Sequence, residues 1–428
     1  MYMLAGTPLT PFHGDESTLI YMSRDYAYQF IQRDLDKVRF SDPAISLQEQ
    51  NLRLLNGTIS KVAIGLAWHL GGFTISDLNE QWDWGGNWDY NVQTGHKPGD
   101  SLLRVTRWSS SLMMAASAIV LFAIGWHLGG RRVAYVASLY YALNPGLLIN
   151  GQRAMMEGSY ALFTLLTVLA GIWLLKRGVW WAALLLGVFE GLALASKHTA
   201  VMTLVAVFGA IGVAWIYGFV QRMTSPLNPL STTASLWRGD LLKLLVAGMV
   251  ALATFYVMNP AWWGDPLSRA RHVLDLREEL LAIQVSAFGG YADVADQIAG
   301  FTRQALIVQP QYYEVAGWQE TIGAEIAAYE ASPWHGISIG GSPLGAALLL
   351  VMILLGIWQM IRRPDRARWL IDCWAIAVVA LTLGLTPLEW QRYYLPVYPV
   401  IGLLATLGLD AIWRTIVNLT PQQNEMDR

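Results

Sequence analysis

The sequence predicts an all-α polytopic membrane protein with about nine transmembrane helices. Three observations carry this. Hydrophobic residues make up 54% of the 428 residues, charged ones only 14%, and mean hydropathy is +0.36, which places the bilayer around the chain. Several windows run about 20 residues without an internal charge, the length a helix needs to cross a hydrocarbon core of roughly 30 Å. These runs are continuous and do not alternate apolar with polar, which selects helices over a barrel.

Taken in order, the apolar runs place spans near 107–128, 132–150, 157–175, 178–196, 199–220, 241–260, 343–361, 368–386 and 393–413. Their connections carry Arg131-Arg132, Lys176-Arg177, the stretch Arg362 to Arg368, and a longer loop Gln221 to Asp240 with Arg222 and Arg238. An excess of lysine and arginine marks cytoplasmic loops, and these four alternate correctly with the spans. The chain then divides into a first outer-face region 1–104, transmembrane helices 105–260, a large outer-face loop 261–342, C-terminal transmembrane helices 343–418 and a cytoplasmic tail 419–428. An outer segment as long as 1–104 needs a span before it, so a first helix is expected to be missing from this chain. Within the outer regions, 52–73 is apolar but interrupted by Asn56, Lys61 and His69, which predicts a helix lying flat in the interface. Residues 268–284 show an amphipathic pattern, so the large loop is expected to be partly ordered over the membrane domain.

The net charge of −2 offers no basic face for phosphate backbones and excludes a nucleic-acid partner. The single Cys373 excludes an internal disulfide.

Ionisable residues at a membrane edge are expensive and mark function or pair with one another. Four groups stand out. His13-Gly14-Asp15-Glu16 precedes a helical stretch 17–33, where adjacent carboxylates also serve as helix caps. Gln152, Arg153 and Glu157 sit at one outer turn, and the four-residue spacing equally predicts an Arg153–Glu157 ion pair. Lys197-His198 closes an apolar run on the face where cations are disfavoured, which favours an anion site. In Gln391-Arg392-Tyr393-Tyr394, Arg392 offers a fork for phosphate and the tyrosines offer hydroxyls and flat faces. Trp82, Trp84 and Trp88 suit either sugar stacking or the interface, and the interface is the preferred reading.

The strings FHGDES at 12–17, RAMMEG at 153–158, GLALASKHTA at 191–200 and QRYYLP at 391–396 resemble the bacterial dolichyl-phosphate-mannose protein mannosyltransferase family. That family is part of the C-type membrane glycosyltransferase superfamily, and the resemblance runs from about residue 10 to residue 415. It implies a plasma-membrane, multi-pass hexosyltransferase that moves a mannose-like sugar from a polyprenyl-phosphate donor to a hydroxyl on a protein, glycan or lipid acceptor. It also implies an inverting displacement at the extracytoplasmic face. By position, Asp15 takes the role of catalytic base, with Glu16 beside it for acceptor positioning or metal contact. Lys197, His198, Arg392 and Arg153 match the basic positions that meet the carrier phosphate. Tyr393, Tyr394, Glu157 and Gln391 fall to substrate binding. A divalent metal stays open, since an Asp-Glu pair alone offers too few oxygen ligands to specify one.

Two rival readings use the same scaffold. A transporter or flippase would place its ionisable groups near the midplane on broken, repeated helices, whereas here they gather at one surface. A non-catalytic subunit of a membrane complex would tolerate loss of Asp15.

Overall fold

The computed structural model describes residues 2–224, 230–315 and 317–419. The described chain is all helical. Among the described residues seven helices are long and apolar enough to cross a membrane: Asp100–Gly129, Glu157–Arg177, His198–Val220, Leu241–Met258, Pro343–Arg362, Arg366–Leu385 and Val397–Val417. Their outward residues are apolar, Ile119 being 72% and Leu252 67% exposed, as a lipid-facing surface requires.

Two of the nine expected spans fall short of that helix length for local reasons. The run 132–150 divides into Arg131–Leu143 and Pro145–Gly151, because Pro145 cannot donate a helical hydrogen bond. Asn144 caps the second piece, its Oδ1 accepting from Leu147 N at 3.1 Å. The run 178–196 forms a helix of 17 residues, Trp180–Ser196, which packs on Leu230–Met258. Gly187 and Gly191 sit at that crossing, where a Cβ would lie 2.4 and 2.5 Å from the carbonyl oxygens of Ala247 and Ala251. A small residue every fourth position is what lets two membrane helices approach this closely. The loop expected at Gln221 to Asp240 is shortened by helices reaching Thr224 and starting at Leu230; 225–229 and most of the tail 419–428 lie outside the described residues.

The segment 52–73, expected as one interfacial helix, is not a single helix. It breaks at Asn56-Gly57 into Leu47–Leu55 and Thr58–Leu70, and the second piece packs on Asp100–Gly129. The interrupting Lys61 is buried, its Nζ 3.6 Å from Asp25 Oδ2, while Arg53 Nη2 sits 2.9 Å from Asp25 Oδ1. Burial pulls the Lys61 ammonium down to about 8. The amphipathic stretch of the large loop forms Pro266–Phe288, as expected.

Following the helices in turn puts 2–99, the turn before Glu157, Lys197, 259–342 and 386–396 at one end of the bundle. The basic turns at Arg131-Arg132, Lys176-Arg177 and Arg362 to Arg368 occupy the other.

Candidate active site

A cavity of about 800 Å³ opens at the first end, lined by Asp15, Arg277, Glu314, Arg392 and an aromatic group including Trp84, Trp318 and Trp390. Its placement starts with one helix. His13 caps Gly14–Met22: its Nδ1 accepts from Asp15 N at 3.1 Å, and its own N–H donates to Glu16 Oε1 at 3.1 Å. Neighbouring residues on a helix point about 100° apart, so Asp15 and Glu16 face different surroundings.

Glu16 turns inward. It is fully buried and accepts from Arg107 Nε at 2.7 Å, Arg107 Nη2 at 2.8 Å and Ala154 N at 2.9 Å. The sequence-based role of Glu16 in acceptor positioning or metal contact is corrected here, since both its oxygens are committed inside the protein. The carboxylate anchors the acidic motif to the membrane bundle.

Asp15 turns outward, its side chain 29% exposed, and pairs with Arg392. Arg392 lies on the short turn Gln391–Tyr393, its guanidinium 4.7 Å from the Trp390 ring centroid, and its Nε is 3.9 Å from Glu314 Oε1. Glu314 in turn accepts from His13 Nε2 at 2.6 Å. Because His13 Nδ1 is an acceptor, the ring proton sits on Nε2, and the imidazole is a neutral bridge between the acidic motif and the large loop.

Burial pushes the His13 imidazole below its ordinary range, against the pull of Glu314. The folded protein therefore binds fewer protons here than the unfolded chain, so stability is lost as pH falls through this window. The thermal-inactivation midpoint in nanodiscs is expected to drop between about pH 6.5 and 5.5, just below the ordinary histidine value. The drop should be smaller in His13→Asn, whose amide oxygen caps the same helix. An equal drop in both proteins would assign the acid sensitivity elsewhere.

The remaining expected site residues divide. Lys197 Nζ pairs with Glu157 Oε1 at 3.0 Å and lies 6.0 Å from the Tyr393 ring centroid, so it approaches the Arg392 turn from behind the cavity wall. Glu157 thus pairs with Lys197 and not, as the spacing suggested, with Arg153. Arg153 is buried and donates to Tyr312 O at 2.6 Å and Pro11 O at 3.3 Å, which corrects its assignment to the carrier phosphate. His198 packs edge-on against Trp262, centroids 5.7 Å apart, and is not among the residues that line the cavity. Gln391 donates to Gln309 O at 2.7 Å and accepts from Gln311 N at 3.2 Å, holding the loop. Tyr394 is buried against Tyr291, and Tyr393 stacks on Trp390 at 5.7 Å.

Three residues escaped the sequence reading. Arg277, Glu314 and Trp318 all come from the large loop and line the cavity. Arg277 is half-buried and donates to Leu55 O, and among the described residues it forms no ion pair. Its only sequence signal was a position in an amphipathic helix, and Glu314 had none. Among the described residues no three His, Cys, Asp or Glu side chains group as metal ligands, and Asp15 already answers Arg392.

Residues 54–257 match the family model described as dolichyl-phosphate-mannose-protein mannosyltransferase, the family that the four short strings pointed to. The fold matches the crystal structure of ArnT from Cupriavidus metallidurans bound to undecaprenyl phosphate. The TM-score is 0.50 at 15% identity, covering 97% of this chain and 60% of that one. The apo form of the same enzyme gives 0.51 at 13% identity with the same coverage. The oligosaccharyltransferase AglB from Archaeoglobus fulgidus, in complex with an inhibitory peptide and a dolichol-phosphate, gives 0.47 at 14% identity, covering 97% of this chain and 49% of that one. The chain thus spans 60% of the length of the ArnT structures, and at these identities the likeness is one of fold. No curated protein matches the chain.

Proposed function

We propose, from the family match over residues 54–257 and the cavity between Asp15 and two arginines, that the protein is a lipid-carrier-dependent glycosyltransferase. It moves a mannose-like hexose from a polyprenyl phosphate to an acceptor hydroxyl. The observation that carries this reading is the pairing of the part-exposed Asp15 carboxylate with Arg392 in a cavity that Arg277 also lines. Asp15 is the base, and Arg277 and Arg392 hold the carrier phosphate, with Lys197 in support behind Tyr393.

The geometry suggests an order of events. Before donor binds, Arg392 neutralises Asp15 and would make it a poor base. The donor's phosphodiester monoanion competes for the guanidinium, and its arrival frees Asp15 for the acceptor; a second negative charge develops on the carrier phosphate only as the sugar leaves. Displacement at an anomeric carbon needs these two functions together, a base for the incoming hydroxyl and charge stabilisation for the departing phosphate. Leu280, Ile283 and Phe288 form an apolar cavity wall along Pro266–Phe288, a surface suited to the prenyl tail. The basic turns gather at the opposite end of the bundle from the cavity, which supports an extracytoplasmic site in the plasma membrane.

The test is donor binding. Arg277→Ala should weaken binding of a short-chain polyprenyl phosphate about 10- to 100-fold, because charge-assisted hydrogen bonds contribute about 1.5–3 kcal/mol. Arg392→Ala should weaken it at least as much, since the same change leaves the Asp15 carboxylate unpaired beside the phosphate. Titration calorimetry in nanodiscs reads both. Carrier affinity unchanged in Arg277→Ala would remove the phosphate from this wall.

A further inference from the structure

Donor chemistry leaves one part of the cavity unused, the aromatic surface beside Asp15. Trp84 is 46% exposed, whereas Trp82 and Trp318 beneath it are buried. Trp84 lies parallel to Trp318 within 6°, centroids 6.1 Å apart. Trp82 closes edge-on against both, at 6.3 and 5.6 Å. Three indoles therefore make a rigid platform with one open face. It abuts the base: a Cβ on Gly14 would lie 2.8 Å from the Trp84 ring, so only glycine lets the indole sit flush against the residue before Asp15. Gln81 and Asn87 line the same cavity as Asp15 and Glu314.

A flat apolar face edged by planar amides and carboxylates matches one ligand chemistry closely. A pyranose ring presents C–H groups on its face and hydroxyls, each both donor and acceptor, around its rim. We infer that the acceptor is a glycan whose sugar ring stacks on Trp84 and so delivers a ring hydroxyl to Asp15, in preference to a serine or threonine on a peptide. The inference rests on the transferase reading above and names its acceptor class. An extended peptide is commonly held by main-chain hydrogen bonds to an exposed strand edge, and there is no strand among the described residues. In the step itself, the hydroxyl oxygen bonds to the anomeric carbon of the donor hexose and its proton passes to the Asp15 carboxylate. The bond from that carbon to the carrier phosphate oxygen breaks, and its electron pair leaves with the phosphate.

The experiment offers the whole chain, in nanodiscs with a short-chain polyprenyl-phosphate mannose, either methyl α-mannopyranoside or an acetylated serine peptide amide. Mass spectrometry reads transfer. The glycoside should accept the hexose, and Trp84→Ala should raise its KM about tenfold, the scale of one aromatic face contact. Trp84→Phe keeps a flat face and should stay near the wild type. Preference for the peptide, or a KM that Trp84→Ala does not move, overturns the inference. Hexose released to water without any acceptor reads the donor reaction separately. If the wild type cleaves the donor in water but ignores the glycoside, the acceptor class falls and the transferase reading stands; if it does neither, both fall.

Discussion

Asp15→Asn is expected to lower sugar transfer about 10²- to 10⁴-fold, the usual contribution of a general base, while donor binding stays constant or tightens. The amide keeps the shape of the side chain but cannot take the acceptor's proton. It also cannot hold Arg392 as an ion partner, so the guanidinium is released to the carrier phosphate. The mutant should therefore show a fallen kcat with an unchanged or lower donor KM, the pattern of an interaction needed only in the transition state. Steady-state kinetics with a polyprenyl-phosphate mannose would decide. Transfer at the wild-type rate would make Asp15 a counter-ion for Arg392 and nothing more.

Loss of Glu16 should damage stability most. Its carboxylate and Arg107 form a bidentate pair buried from water, and removing one partner strands the other charge at a cost of about 3–5 kcal/mol. Glu16→Ala is therefore expected to inactivate at a much lower temperature than the wild type. Glu16→Met with Arg107→Met should recover much of that loss, since an apolar pair of similar volume is often neutral. Thermal inactivation in nanodiscs measures both. A single mutant as stable as the wild type would show that Arg107 finds sufficient partners in the Thr7 and Thr10 carbonyls, to which it also donates.

Much of this was legible in the sequence, and the physics explains where legibility stopped. Hydropathy needs no tertiary knowledge, so the membrane class, the helical fold and the run of long spans could be read directly. The breaks at Asn144-Pro145 and Asn56-Gly57 are local turn chemistry, present in the letters but outweighed by the apolar residues around them. The acidic pair was found but not resolved. Nothing in Asp-Glu says which carboxylate faces inward, because that depends on Arg107, 91 positions away in sequence. The same distance problem misassigned Arg153, whose spacing to Glu157 looked like a pair until Lys197 supplied a better partner. Arg277 and Glu314 reach the cavity through the folding of a long loop; periodicity marked the helix that carries Arg277 but not the face it turns to the cavity, and Glu314 lies on no periodic element.

The segment 309–315 is fastened from three remote parts of the chain: Arg153 holds Tyr312, His13 holds Glu314, and Gln391 holds Gln309 and Gln311. In sequence it belongs to a loop, but mechanically it belongs to the bundle. Displacing any one of Arg153, His13 or Gln391 would therefore be felt at Glu314 on the cavity wall, by leverage along one short strap.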